Sequence, residues 1–248
     1  MPARSPLGLP DSVRACLFDL DGVLTRTATV HMAAWKRTFD GFLQEHEPGA
    51  AEFSQLDYNR FVDGKPRADG VRDFLASRGI TLPEGSPGDP ADAATVQGIA
   101  ARKNELVLAE LEEHGVEVYP GSVDYLRAVK AAGLATAVVT ASANGEHVIG
   151  AAGFADLIDE RIDGIVAARD SLRGKPHPDT FLAGARALGV EPAEAVVFED
   201  ALSGVAAGRA GKFGYVVGVD RVGQAQGLAE QGADVVVKDL SELLEGGA

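Results

Sequence analysis

The chain is poor in cysteine, with Cys16 as the only thiol among 248 residues. A single cysteine cannot form a disulfide within the chain, and there is no cysteine cluster to bind zinc. Cys16 lies in an apolar run near the start of the chain, which favours a small buried side chain over a reactive thiol. Disulfide-stabilised scaffolds and cysteine-based zinc modules are therefore excluded.

Long hydrophobic runs are missing as well. No apolar stretch approaches the about 20 residues that a helix needs to cross a bilayer. Residues 1–12 lack the apolar stretch of a secretory signal. We therefore expect a cytoplasmic protein. Internal repeats and low-complexity tracts are also absent from the sequence, so repeat architectures are not expected.

Positive charge is in short supply. Lysine and arginine number 23 against 37 acidic residues, which gives a net charge of −14. Nucleic acids and anionic membrane surfaces are therefore unfavourable partners. A phosphate ligand would have to be held by local positive charge and a metal ion. The hydrophobic fraction of 46% excludes a disordered chain.

The hydrophobic pattern divides the chain unevenly. A first apolar strand is predicted at 13–19, and residues 20–114 then show helical periodicity without a convincing strand. Apolar runs after that alternate with helical stretches, and they lie near 134–140, 162–167, 195–199, 213–219 and 233–237. Such alternation predicts an α/β fold with a doubly wound, Rossmann-like parallel sheet. We expect this core to comprise 1–28 and 115–248, with an inserted all-helical cap domain at 29–114.

The first apolar run ends in two carboxylates, Asp19 and Asp21, followed at once by Gly22. Alternate side chains of a strand share a face, so the two carboxylates should point the same way. Two such close charges repel unless a cation or a shared proton holds them together. Oxygen ligands suit Mg²⁺, and an aspartate can also act as a nucleophile that forms an aspartyl-phosphate. The alternative is a loop in which Asp-Gly merely makes a turn.

Three later segments also end in polar residues. Thr140 and Ser142 close an apolar run and could receive a phosphate oxygen. Lys175 lies in a proline-stiffened loop, where it could neutralise carboxylates and a phosphoryl group, or simply be solvated. Glu199 and Asp200 end another apolar run, as metal ligands or as a helix cap.

Taken in order, these segments resemble the four-motif signature of the haloacid dehalogenase superfamily. Further positions resemble its β-phosphoglucomutase branch more narrowly. The residues that carry this narrower resemblance are Asp19–Val23, Thr27, His31 with Trp35, Gly64 with Arg67, Arg102–Asn104, Tyr119–Gly121 and Ala141–Asn144.

The resemblance implies phosphoryl transfer in which Asp19 is the nucleophile and Asp21 the general acid and base. The implied catalytic residues are Asp19, Asp21, Thr140 and Lys175. The implied Mg²⁺ ligands are Asp19, Asp21, Glu199 and Asp200. The implied substrate-binding residues are Thr27, His31, Gly64, Arg67, Lys103, Ala141, Ser142 and Asn144. Glucose 1,6-bisphosphate is expected as a phosphoryl-donor activator.

Three of these residues in the predicted cap have ordinary alternatives. Lys103 lies on an apolar helical stripe, so its ammonium either snorkels to solvent or points at a substrate phosphate. Arg67 precedes a predicted helix, where it is either solvated or able to grip phosphate with both donors. His31 lies four residues before Trp35, as a packed side chain or with a hinge or acid-positioning role.

The resemblance implies conversion of β-glucose 1-phosphate to glucose 6-phosphate, with a small phosphorylated sugar as the partner. We expect a monomer, because a capped enzyme of this size can work alone. Asp63 and Ala143 stand where the bacterial enzymes of that branch carry lysine. Each change removes positive charge near the expected phosphate, so a sugar-phosphate phosphatase is the alternative. Lys65 is close enough in sequence to compensate in part. A dehalogenase is less favoured because the acids suit Mg²⁺, and a non-catalytic phosphosugar-binding regulator is the candidate from another class.

Overall fold

The computed structural model, which describes residues 6–245, contains a six-stranded sheet in which every neighbouring pair is parallel. In spatial order the strands are β3 (Glu160–Ile162), β2 (Ala135–Val139), β1 (Ala15–Phe18), β4 (Ala195–Glu199), β5 (Tyr215–Val219) and β6 (Val235–Val237). All four residues of β1 are buried, so both faces of the sheet are covered. This confirms the predicted α/β fold with a parallel sheet.

The chain divides into two units, one formed by residues up to Arg26 together with those from Val116 onward, and the other by Thr27–Gly115. Helices of the first unit flank the sheet. They are α5 (Pro120–Ala131), α6 (Gly145–Ala152), α7 (Gly164–Arg169), α8 (Asp179–Ala187), α9 (Leu202–Ala210), α10 (Ala225–Glu230) and α11 (Ser241–Glu245).

The second unit, which the structure describes in full, contains helices and loops without a strand. Its helices are α1 (Thr27–His46), α2 (Gln55–Asp57), α3 (Arg67–Ser77) and α4 (Val96–His114), with a π-helical turn at Tyr58–Val62. Its core combines aliphatic side chains with aromatic rings, among them Phe39 and Phe74 with centroids 4.1 Å apart. Whether this unit acts as a cap domain stays a prediction.

The run 162–167, which was predicted as a strand, is mostly helical. Strand β3 ends at Ile162, and Asp163 then caps α7, its Oδ1 accepting from the backbone N–H groups of Ile165 at 3.0 Å and Val166 at 2.9 Å. An aspartate in this position satisfies two donors that the first helical turn leaves open. The apolar residues after it therefore continue as a helix.

No helix in the described part of the chain is both long enough and apolar enough to cross a membrane.

Candidate active site

The polar residues singled out in the sequence lie at one edge of the sheet. Asp19 directly follows β1, whose neighbours on either side are β2 and β4. Thr140 directly follows β2, and Glu199 is the last residue of β4. Because all three strands run in parallel, their carboxyl ends meet at the same edge, where ligands bind in open sheets.

Three carboxylates come together at this edge. Asp19, Glu199 and Asp200 are buried, and each offers an oxygen within 4.8 Å of the oxygens of the other two. Oxygen donors of this kind and number fit a hard divalent cation. The chain thus contains a buried acidic cluster, Asp19–Glu199–Asp200, with the donor chemistry of a magnesium site.

Two glycines make room for this cluster. Gly22 has a φ of +92°, and a Cβ there would overlap the carboxylate of Asp200. A Cβ at Gly204 in α9 would overlap the carboxylate of Glu199. Gly22 therefore satisfies both a left-handed backbone and a close approach, which no other residue can do. The sequence signalled only the first of these glycines.

Lys175 places a positive charge inside the cluster. Its Nζ donates to Asp19 Oδ1 at 2.5 Å and to the Val139 carbonyl at 3.2 Å, and it also forms an ion pair with Glu199. Lys175 is 3% exposed, so it is not a solvated loop lysine. Its ammonium also lies over the Phe181 ring, 5.0 Å from the ring centroid. The sequence did not predict this cation–π contact.

Burial and charge act against each other on these groups. Burial disfavours the charged form of Lys175, but Asp19 and Glu199 outweigh it and raise the pKa of Lys175 above its ordinary value. Burial raises the pKa of Asp19 well above its ordinary value, and the charges of Glu199 and Asp21 add to this while Lys175 opposes it. A proton or a cation at Asp19 is therefore favoured over an uncompensated negative charge.

Asp21 makes a different contact from the clustered acids. Thr140 Oγ1 donates to Asp21 Oδ2 at 3.1 Å, and Ser142 N–H donates to Thr140 Oγ1 at 3.0 Å. The carboxylate of Asp21 is not one of the three in the acidic cluster. Thr140 thus orients Asp21, and metal ligation by Asp21 stays a prediction.

The predicted phosphate loop Ala141–Asn144 follows β2 at the same edge. Its backbone is held by the Ser142 carbonyl, which accepts from Gly164 N–H at 2.9 Å. Ser142 Oγ accepts from Asn144 N–H at 3.2 Å. A Cβ at Gly164 would lie 2.8 Å from the Ala141 carbonyl, so the loop packs tightly on the start of α7.

The predicted substrate residues in Thr27–Gly115 include a buried contact. Lys103 is 2% exposed, with its Nζ 2.6 Å from His31 Nδ1 and 5.1 Å from the Trp35 ring centroid. The lysine therefore does not snorkel to solvent. Burial lowers the pKa of Arg67, which lies in the first turn of α3. Thr27, another predicted substrate residue, is the first residue of α1 and is buried.

The loop before α3 contains Asp63, which stands where the related bacterial enzymes carry lysine. Gly64 has a φ of +69°, next to Asp63. Lys65 forms an ion pair with Asp73 at 2.6 Å, so its charge is already matched within this unit. Whether Lys65 compensates for the lysine that Asp63 replaces stays a prediction.

The model of the haloacid dehalogenase-like hydrolases matches residues 13–212. The chain belongs to this family. The predicted superfamily resemblance is thereby confirmed, and the chain is an enzyme of the haloacid dehalogenase type.

Among its relatives is a β-phosphoglucomutase of Mycobacterium bovis, 52% identical over 246 residues, covering 96% of this chain and 94% of the relative. A validoxylamine A 7'-phosphate phosphatase of Streptomyces hygroscopicus is 30% identical, covering 93% of this chain and 95% of the relative. A solved β-phosphoglucomutase from Clostridium difficile superposes with a TM-score of 0.72 at 26% identity, covering 93% of each chain.

Proposed function

We propose that the chain is a Mg²⁺-dependent β-phosphoglucomutase that converts β-glucose 1-phosphate to glucose 6-phosphate through an aspartyl-phosphate on Asp19. The observation that carries this proposal is the contact of Asp19 with buried Lys175 inside the acidic cluster. A buried carboxylate beside one ammonium and two further acids is the constellation that the family match at 13–212 would use for phosphoryl transfer.

We assign the cation to Asp19, Glu199 and Asp200, with Asp21 as a further predicted ligand. When bound there, Mg²⁺ would offset the charge of the clustered carboxylates and of a transferring phosphoryl group. The raised pKa of Asp19 fits this assignment, because its buried charge needs a compensating cation.

Asp19 attacks phosphorus and forms the O–P bond while the bond from phosphorus to the sugar oxygen breaks. Lys175 keeps the Asp19 carboxylate in place and neutralises developing charge. Asp21 gives its proton to the departing sugar oxygen and later takes one from the acceptor hydroxyl. Thr140 holds Asp21 in the orientation that this requires.

We assign substrate binding to polar groups that the family resemblance singles out. In the loop after β2, the Ala141 N–H and the side chains of Ser142 and Asn144 are proposed to bind the substrate phosphate, because the N–H groups of Ser142 and Asn144 already donate to Thr140 Oγ1 and Ser142 Oγ. The further substrate-binding residues that the resemblance implies are Thr27, His31, Gly64, Arg67 and Lys103. A partly desolvated guanidinium such as Arg67 binds phosphate more strongly than a fully hydrated one, which supports its inclusion.

Glucose 1,6-bisphosphate is proposed as the donor that first phosphorylates Asp19. The enzyme is proposed to work as a cytoplasmic monomer on small phosphorylated sugars, without nucleic-acid or membrane partners. Its net charge of −14 supports the exclusion of those polyanions.

A sugar-phosphate phosphatase is the second candidate. Asp63 and Ala143 leave less positive charge for a second phosphate, and Lys65 is committed to Asp73. The 30% identical phosphatase relative supports the same alternative. In that case water, instead of a sugar hydroxyl, would accept the phosphoryl group from Asp19.

The two candidates differ in their products. Purified protein with Mg²⁺, β-glucose 1-phosphate and a trace of glucose 1,6-bisphosphate should give glucose 6-phosphate in large excess over inorganic phosphate. Phosphate as the main product would establish the phosphatase. Neither product would point to a different sugar or to the phosphosugar-binding regulator.

Asp21→Asn should separate proton transfer from nucleophilic attack. Loss of the general acid should slow phosphorylation by the sugar phosphate about 10² to 10⁴-fold. p-Nitrophenyl phosphate should lose much less, because its leaving group needs little protonation. Single-turnover phosphorylation of Asp19 by both compounds provides the measurement. An equal loss with both would mean that Asp21 acts through metal or geometry.

Asp200→Ala should weaken Mg²⁺ binding, with activity partly returning as Mg²⁺ is raised. Loss of a group behind a metal ligand costs about 10 to 100-fold in affinity, so loss of a ligand should cost at least as much. Metal titrations of activity provide the measurement, with Asp124→Ala, an exposed acid of α5, as the control. An unchanged metal midpoint in Asp200→Ala would remove Asp200 from the ligand set.

A further inference from the structure

The loop 220–224, between β5 and α10, lies outside all the sequence motifs but binds two segments of the active site. Asp220 closes the loop on itself, because its Oδ1 accepts from Gly223 N–H at 2.7 Å and from Gln224 N–H at 2.8 Å. The side chains of Arg221 and Gln224 are thereby presented from a fixed backbone.

Arg221 binds the turn that carries Asp21. Its Nε donates to the Gly22 carbonyl at 2.8 Å and its Nη2 to the Val23 carbonyl at 3.3 Å. On the other side Nη1 donates to the Lys238 carbonyl at 2.6 Å and to Asp239 at 3.3 Å. The guanidinium uses several of its five donors in one fixed fork, which a lysine could not reproduce.

The same guanidinium also contacts the segment at the start of α5. It lies 3.5 Å from the Tyr119 ring centroid, and Nη2 donates to Ser122 Oγ at 3.2 Å. Tyr119 N–H in turn donates to the Leu24 carbonyl at 3.0 Å. Arg221 therefore contacts two segments that are hydrogen-bonded to each other. The Arg221 side chain is 12% exposed.

The turn after Asp19 depends on Arg221 to satisfy its backbone. Within the turn the Leu20 carbonyl accepts from the N–H groups of Leu24 and Thr25, each at 3.0 Å, and Gly22 N–H donates to the Thr25 carbonyl at 2.7 Å. The carbonyls of Gly22 and Val23 accept from Arg221 instead, and both residues are buried. A buried carbonyl that loses its donor is unfavourable, so the turn should shift when Arg221 is removed.

Gln224 binds the other segment. Its Nε2 donates to the main-chain carbonyl of Asp200 at 2.9 Å. Gly22 and the Asp200 carboxylate are in direct contact, since a Cβ on Gly22 would overlap that carboxylate. One loop therefore holds both sides of the contact between the Asp21 turn and a member of the acidic cluster.

We propose that Arg221 and Gln224 are positioning residues for the proposed phosphoryl transfer, Arg221 acting through the Asp21 turn and Gln224 through Asp200. The inference rests on the proposed function, because it assigns Arg221 an effect on proton transfer by Asp21. Asp19 is anchored independently, through its N–H to the Phe198 carbonyl at 2.9 Å and through Lys175. Removing Arg221 should therefore disturb the acid more than the nucleophile.

Arg221→Ala tests whether Arg221 positions Asp21. Misplacing a catalytic group by about 1 Å can cost 10²-fold, so phosphorylation by the sugar phosphate should fall by about that factor. Phosphorylation by p-nitrophenyl phosphate should fall much less. The ratio of rates is the rate of phosphorylation by the sugar phosphate divided by the rate with p-nitrophenyl phosphate. In Arg221→Lys, which keeps the charge but not the forked set of donors, this ratio should fall between the values of wild type and Arg221→Ala.

Arg78→Ala is the matched control. Arg78 also donates to a carbonyl, at 3.0 Å, pairs with a carboxylate, at 3.2 Å, and lies over an aromatic ring. Its side chain is 22% exposed, but it contacts Ala51, Asp57 and Phe74, none of which belongs to the acidic cluster. General destabilisation would lower both rates alike in either variant, so the ratio of rates should stay at the wild-type value in Arg78→Ala.

Gln224→Ala tests whether Gln224 positions Asp200, by calorimetric titration with Mg²⁺, which needs no substrate. Mg²⁺ affinity should fall about 10-fold or more, as expected for a group behind a metal ligand. Gln226→Ala, whose amide donates to Glu230 at 2.7 Å in the same region, should bind Mg²⁺ like wild type.

The proposal is overturned if Arg221→Ala has the wild-type ratio of rates, or if Gln224→Ala has wild-type Mg²⁺ affinity. If Arg221→Ala does not fold, the ratio in Arg221→Lys decides, and a wild-type value overturns the role of Arg221. Failure of the proposed function would look different. Wild type would then not convert β-glucose 1-phosphate, whereas the ratio could still be measured with another sugar phosphate and the calorimetry would be unaffected.

Discussion

Asp19→Asn is expected to abolish turnover and to leave no phosphate on the protein. The amide is a poor nucleophile and a weaker Mg²⁺ ligand than the carboxylate. Removing the attacking group of a concerted site should lower kcat by at least about 10⁴-fold. Rapid quenching after exposure to labelled glucose 1,6-bisphosphate, followed by counting of label on the protein, measures both the rate and the intermediate.

The control for this variant is Asp124→Asn, in which an exposed aspartate paired with Arg127 loses its charge. It should retain wild-type turnover and labelling. Label trapped on Asp19→Asn at the wild-type level would show that another residue carries the phosphoryl group.

Lys175→Met is expected to impair both catalysis and folding. Removing one partner of a buried ion pair costs about 3–5 kcal/mol, because the other charge stays buried without compensation. Here three carboxylates would remain close together, Asp19, Glu199 and Asp200. Loss of a fixed positive group at the reacting phosphate should also lower kcat by about 10² to 10³-fold.

The stability defect of Lys175→Met should depend on pH and on Mg²⁺. Lys175 opposes the rise in the pKa of Asp19, so its removal should raise that pKa further. An acid with a raised pKa in the folded state stabilises the fold below its unfolded pKa, of about 3.9, and loses this contribution as the pH rises through the folded pKa. The defect should therefore grow as the pH is raised from the unfolded pKa of Asp19 towards neutrality, and Mg²⁺ should reduce it.

Denaturant unfolding with EDTA or with Mg²⁺, across that pH range, provides the measurement. Lys130→Met is the control, because Lys130 also pairs with a carboxylate, that of Asp159, but its side chain is 30% exposed and lies away from the acidic cluster. Its smaller defect should show no response to Mg²⁺. A defect in Lys175→Met that is insensitive to both pH and Mg²⁺ would contradict the contacts described for this lysine.

Much of the sheet could be predicted from the sequence, because buried parallel strands are short apolar runs. The runs at 134–140, 195–199, 213–219 and 233–237 each contain a strand of the sheet. Residues 162–167 were wrongly predicted, since a single capping side chain, Asp163, decided between strand and helix. A local hydrogen bond of this kind leaves no mark on hydrophobic periodicity.

The meeting of Asp19, Glu199 and Asp200 could be anticipated because parallel strands align their carboxyl ends. The sequence could not indicate how Lys175 divides its ammonium between two carboxylates. It also gave no signal for Gly204 or Arg221, whose roles depend on contacts between segments far apart in the chain. Such contacts are set by the fold and follow no local pattern.

The contact between Lys103 and His31 shows a second limit of sequence reasoning. Helical spacing placed each residue on a face, and the alternatives were solvent for the lysine and packing for the histidine. The structure instead pairs them across 2.6 Å, with Trp35 beside the ammonium. Which residues of two separate helices meet is decided by helix packing, which periodicity within one helix does not encode.

The most direct test of the proposed chemistry is to locate the phosphoryl group on the protein. An acyl phosphate is reduced by borohydride, which converts a phosphorylated aspartate to homoserine. Wild-type protein treated with glucose 1,6-bisphosphate and Mg²⁺, quenched with borohydride and digested, should contain homoserine at position 19. Homoserine at another position, or turnover of β-glucose 1-phosphate without any homoserine at position 19, would contradict the assignment of Asp19 as the nucleophile.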